Sequence, residues 1–131
     1  MKKTKEEKLE YSSPACTQRL TSLDDALYVI GGKWKLKIII ALQDGAKRFN
    51  ELQRTVSGIS ARVLSNELKE LEMNGFVKRK VQTDIPVMVT YEITEYSHTL
   101  RNVLGALSEW GTKHRAKIRK ERSVSSKTMK K

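Results

Sequence analysis

The chain has 131 residues, a length that fits one domain with a modest core, and its 26 lysines and arginines against 15 acidic residues leave a net charge of +11. That imbalance predicts an anionic partner, and a lone cysteine excludes both an internal disulfide and a cysteine-based zinc finger. The charged amino terminus lacks the apolar core of a secretion signal, and no run approaches the roughly 18 apolar residues of a membrane span, so a cytoplasmic protein with no membrane partner is expected.

Residues 1–15 carry Lys2, Lys3, Lys5 and Lys8 with little to bury, and read as a disordered basic tail. Leu20, Leu23, Ala26, Leu27 and Ile30 recur at helical spacing; Ser22 is the expected opening of that helix, with Asp24 and Asp25 in its first turn, and Gly31-Gly32 breaks it. Trp34 to Leu42 is too densely apolar for a surface strand and predicts a buried helix, stopped by Gln43-Asp44-Gly45. A short extended connection, Ala46 to Phe49, leads to a second helix from Glu51 to Thr55 capped by Asn50, and Ser57-Gly58 makes a tight turn. At about 100° per residue, Leu64, Leu68 and Leu71 then form one narrow stripe, while Arg62, Asn66 and Lys69 gather opposite, with Ser65 beside them. This third helix runs from about Ser60, its cap, to Met73, and Asn74-Gly75 ends it.

Beyond Gly75 the period changes. Phe76, Val77 and Val81, then Val87, Val89, Tyr91 and Ile93, predict two strands around a turn at Thr83-Asp84-Ile85-Pro86. A last amphipathic helix from about Glu95 to Lys117 carries Leu100, Val103, Leu104, Leu107 and Trp110, and residues 118–131 read as a second disordered basic tail. The order of elements is that of a winged helix-turn-helix: an α+β fold, mainly α, in one domain over residues 16–117 with helices at both ends.

This pattern resembles the HxlR-type winged-helix transcriptional regulators, relatives of the MarR regulators. The likeness rests on Ile30-Gly31-Gly32-Lys33-Trp34-Lys35, on Gly45 to Leu52, on Gly58 to Ser65 with Leu68-Lys69-Glu70-Leu71-Glu72, on Pro86 with Tyr91, and on Trp110-Gly111. It implies a homodimeric DNA-binding repressor or activator, with Ser60 to Asn74 as recognition helix and Phe76 to Thr94 as wing. The wing departs from the family pattern at Val81-Gln82, at Val89-Thr90-Tyr91 and over Ile93 to Ser97.

Site residues follow. Arg62, Ser65, Asn66 and Lys69 are expected in the major groove, where arginine and asparagine can each make paired contacts to guanine and adenine edges, with Ser60 near phosphate. Lys78, Arg79 and Lys80 belong to the wing, but strand alternation puts Lys78 and Lys80 on one face and Arg79 on the other, so only part of the run can touch DNA. The competing bland reading of both groups is a solvated polar surface. Surplus apolar stripe on the end helices, Leu20, Leu23 and Leu27 with Leu100, Val103, Leu104, Leu107 and Trp110, points to a two-fold interface, a role the resemblance also implies; the alternative is that these residues complete one monomer's core. A dimer would space two reading heads about 34 Å or a multiple apart, on an inverted-repeat double-stranded DNA operator. Cys16 stands where redox-sensing members of the family carry their sensor, which makes it a candidate for oxidants or electrophiles; its alternative is a small structural residue.

No enzyme is expected. His98 and His114 lie sixteen positions apart without a metal-binding or nucleophile–base pattern, there is no phosphate-binding glycine loop, and neither cofactor nor metal is predicted. The closer competitor is a winged module that binds RNA or another protein. Single-strand RNA readers expose aromatics for base stacking, whereas Phe49, Phe76, Trp34 and Trp110 read as core, which favours duplex DNA.

Overall fold

The computed structural model describes residues 13–129. Helix α1 spans Pro14–Ile30. It begins eight residues before the expected Ser22, because Ser13-Pro14 is the stronger start signal: the Ser13 hydroxyl accepts from the Cys16 N–H at 3.1 Å, and proline supplies a preset φ where no donor is needed. Asp24 and Asp25 therefore sit mid-helix. Of the expected amino-terminal tail, Pro14 and Ala15 are helical, and residues 1–12 lie outside the described residues.

Helix α2, Lys35–Gln43, is the buried helix the apolar run predicts, with Ile38, Ile39, Ala41 and Leu42 in the core. Helix α3 is Phe49–Thr55 and is capped at Arg48, whose N–H donates to the Glu51 carboxylate at 3.4 Å. Asn50, the expected cap, falls inside the first turn, since Phe49 packs against the core and draws the helix start back by two positions. Gly58, at φ 87°, turns the chain, and Ile59 is buried just before α4, Ala61–Met73.

Strands β1 (Val77–Gln82) and β2 (Met88–Ile93) pair antiparallel, Val77 opposite Ile93 and Gln82 opposite Met88. Lys47, in the connection between α2 and α3, exchanges both backbone hydrogen bonds with Tyr91, at 3.0 and 2.8 Å, and so ties the wing's return strand to the helical body. Buried Ser97 donates to the Phe76 carbonyl at 3.0 Å and locks the end of the hairpin to its beginning.

A 3-10 turn, Tyr96–Leu100, precedes α5, Arg101–Met129. The last helix thus starts later than expected and runs past Lys117, so residues 118–129 are helical where a disordered tail is the sequence expectation. Lysine and arginine are good helix formers, and Glu109–Lys113 and Lys117–Glu121 ion pairs at 3.2 and 3.7 Å lie along it. The core collects α2, α3, α4, the start of β1 and Leu104 of α5. Among the described residues, no helix is long and apolar enough to cross a membrane.

Candidate nucleic-acid interface

Helix α4 carries its two faces as the angular count requires. Leu64, Leu68 and Leu71 are buried, and Arg62, Asn66 and Lys69 are exposed on the other side, with Ser65 half-buried beside them. None of Arg62, Asn66 and Lys69 is engaged by another side chain among the described residues, so all three are free to meet a ligand. Ser60 caps the helix by accepting from the Val63 N–H at 3.2 Å, which leaves the other orphan donors of the first turn, and the positive end of the dipole, facing outward.

In the wing, Lys78 and Lys80 share one face and one partner: each ammonium lies 3.1 Å from Glu92 Oε1. Hydrogen bonding from Lys78 first, then from Lys80, holds the Glu92 carboxyl below its ordinary value. Arg79, opposite Tyr91 on the other face, is exposed and carries no ion pair among the described residues. The three cations that form one run in sequence are therefore two unequal groups in space: a lysine pair partly neutralised by Glu92, and a bare guanidinium.

The end helices divide as well. Leu20, Leu23 and Leu27 on α1 and Leu107 and Trp110 on α5 are each more than half exposed, Val103 slightly less. Leu104 differs from expectation: it is 4% exposed and belongs to the core of the single chain, with Leu100 packed partly against the same cluster. Trp110 differs from its reading as a core aromatic, since it is 65% exposed and its ring stacks on His114 at 4.9 Å and 9°. Its indole sits on the same helix stripe as Leu107 and Val103, so it extends the apolar surface of α5. Trp34, Phe49 and Phe76 do pack into or against the core.

Cys16 is exposed in the first turn of α1, beside a shallow groove lined by Ser13, Ala15, Arg19, Leu20 and Leu23. It therefore lies on a helix, ahead of the helix start expected at Ser22.

One cluster escaped the sequence reading. Lys35, at the start of α2, places its ammonium 2.8 Å from Glu67 and 2.6 Å from Glu70, both on α4. Burial pushes the Lys35 pKa down, but the hydrogen bonds and charges of the two carboxylates outweigh it and hold the group above its ordinary value. A signal was present: positions 35, 38, 39 and 42 share one helix face, so a lysine there joins the Ile38, Ile39 and Leu42 stripe and requires a buried-side carboxylate.

Residues 29–119 match the HxlR-like helix-turn-helix family. The HTH-type transcriptional regulator YtcD of Bacillus subtilis (strain 168) is 41% identical over 93 residues, which cover 71% of this chain and 74% of that protein. Among solved structures, the redox regulator HypR in its oxidized form is 40% identical, covers 70% of this chain and 95% of that one, and superposes with a TM-score of 0.67. Diamide-treated YodB from B. subtilis is 37% identical, with 70% and 91% covered and a TM-score of 0.61. These relatives are regulators of transcription and not enzymes. With its buried leucine stripe, outward polar face and attached hairpin, the chain belongs to the HxlR-like helix-turn-helix family of DNA-binding transcriptional regulators.

Proposed function

We propose that the protein is a sequence-specific regulator that binds an inverted-repeat duplex operator as a homodimer and responds to oxidants or electrophiles through Cys16. The observation that carries the reading is the free outward face of α4, where Arg62, Asn66 and Lys69 stand exposed opposite three buried leucines. Arginine and asparagine on that face suit base edges, Ser65 flanks them, Lys69 suits phosphate, and Ser60 presents the helix start to the backbone. On the wing, Arg79 is the cation with its full charge available, and Lys78 and Lys80 act with Glu92 as a weaker group.

Support for a two-fold assembly comes from the unburied leucines of α1 and the stripe Val103, Leu107 and Trp110 of α5. Leu100 lies at the inner edge of that surface, and Leu104 serves the monomer core instead. Redox control is supported by the exposure of Cys16 and by the likeness to HypR and to diamide-treated YodB. With one thiol per chain, a disulfide at Cys16 must join two subunits or capture a small thiol, and either event would alter the spacing of the two reading heads.

Gel-shift titration of the protein's own upstream DNA tests both parts, using wild type and Cys16→Ser, each reduced and diamide-treated. The reading expects a shifted affinity on oxidation of wild type alone. Identical responses from the two proteins would remove the redox role, and a preference for single-stranded RNA over duplex DNA at matched salt would remove the regulator reading in favour of an RNA-binding module.

A further inference from the structure

We infer that Lys35 is a positioning residue for DNA recognition: by bridging Glu67 and Glu70 it sets the rotation of α4 about its own axis. The inference rests on the reading of α4 as the recognition helix. Glu67 and Glu70 are neighbours on one side of α4, and each directly follows a residue of the outward face, Asn66 and Lys69. Leucine packing alone is non-directional and tolerates small slides, whereas two carboxylates at 2.8 and 2.6 Å from one ammonium add charge attractions that weaken as either side chain moves away. At a side-chain radius of about 5–6 Å, a 20° turn of the helix displaces a side-chain end by about 2 Å, which breaks such a pair and takes Arg62 or Asn66 out of hydrogen-bond range of a base.

The neighbouring residue acts on the preceding turn. The Trp34 ring stands 3.9 Å from where a side chain at Gly58 would begin, so Trp34, which caps α2, and Lys35, its first residue, lie against the turn and the helix that follows it. Lys33 and Lys37 lie over the same ring at 4.8 and 5.1 Å, which fixes the indole in turn. Lys35 itself has a side chain only 11% exposed, too enclosed to serve as a phosphate contact. Its charge instead offsets two carboxylates that would otherwise face a polyanion uncompensated.

The experiment compares wild type, Lys35→Met and Glu70→Gln for their affinity ratio between a duplex selected from a randomised pool and a scrambled duplex, at one salt concentration, with thermal unfolding of each protein alongside. Methionine keeps the apolar stem of residue 35 in α2 but leaves the Glu67 and Glu70 carboxylates without their cation, so a lower melting temperature is expected in Lys35→Met and the affinity ratio, not stability, is the readout. The inference expects the ratio to fall at least tenfold in Lys35→Met. In Glu70→Gln, whose altered side chain is 56% exposed, affinity for both duplexes should rise with the lost negative charge while their ratio falls severalfold. A purely structural role would lower the melting temperature and leave both ratios at the wild-type value, and pure charge screening would shift both affinities equally; either result overturns the inference. Should Lys35→Met not fold, the Glu70→Gln ratio decides alone. A wild type without any sequence preference would overturn the reading of α4 itself, and this inference with it.

Discussion

Replacement of Ser60 separates its folding role as the cap of α4 from the place beside DNA that the proposed function gives it. The Ser60 hydroxyl accepts from the Val63 N–H at 3.2 Å and has extended backbone, as an N-cap requires. Ser60→Ala removes that acceptor and should cost about 1 kcal/mol, within the usual range of roughly 0.5–2. For a domain of this size that corresponds to a melting temperature lower by about 3–5 °C. Ser60→Asp keeps an acceptor and adds a charge that the helix dipole favours by about 0.3–1 kcal/mol, so stability should be retained or raised. The same carboxylate would stand at the helix end assigned to phosphate. At a separation of about 7 Å and an effective dielectric between about 20 and 80, the repulsion is roughly 0.6–2.4 kcal/mol per phosphate, or about three- to fiftyfold in affinity at low salt. Circular dichroism melts and fluorescence-polarisation titrations over several salt concentrations measure the two effects separately. The expected signature is opposite signs in Ser60→Asp: stability kept, binding lost, and the loss shrinking as salt rises. Undiminished affinity for duplex DNA in Ser60→Asp would refute the placement of this helix start, and an unchanged melting temperature in Ser60→Ala would refute the cap.

Leu68, 1% exposed on the inner stripe of α4, should lose about 3 kcal/mol on change to alanine, with a melting temperature roughly 10 °C lower; a loss under about 1 kcal/mol would mean that α4 is not packed as described. Leu107→Glu and Trp110→Glu alter exposed positions, so each protein should keep its helical signal yet sediment as a monomer, and a dimer of unchanged affinity would exclude the α5 stripe from the interface. The folded-state pKa of Glu92 is depressed by Lys78 and Lys80, so its stabilising effect is present above its unfolded value of about 4.3 and disappears as pH falls through the folded value. Glu92→Gln should therefore flatten the part of the stability loss that sets in as pH falls below about 4.3, and should strengthen duplex binding at neutral pH by releasing both lysines; the same acid dependence as wild type would mean that the pairs do not form in solution.

Much of the architecture was legible because local signals agreed. In α4 the leucine period, the Ser60 cap and Asn74-Gly75 all specify the same helix, and Gly75 does take the left-handed backbone, at φ 81°. In α1 two start signals compete: Asp24 and Asp25 suggest a first turn, but Ser13-Pro14 provides both the cap and the preset φ. At the far end of α5 composition does not decide, because lysine and arginine serve a tail and a helix equally well. Leu104 and Trp110 were not separable by spacing, since both lie on the apolar side of one helix and only the position of the core decides which is covered. The pairing of Lys78 and Lys80 with Glu92 depends on hairpin register, which the alternation of side chains alone does not supply. Lys35 was hidden by the density of apolar residues after it, although its place on the buried face of α2 called for an acidic partner.

The most direct test of recognition through the outer face of α4 is an anisotropy titration of wild type and Asn66→Ala against the selected duplex, its scrambled form and single-base variants, at matched salt. The account predicts that wild type prefers the selected duplex by about a thousandfold or more, and that Asn66→Ala gives up roughly 1–3 kcal/mol of discrimination at one or two neighbouring base pairs while the other positions keep theirs. Equal affinity of wild type for selected and scrambled duplexes, or an Asn66→Ala protein with the full wild-type discrimination at every position, would contradict it.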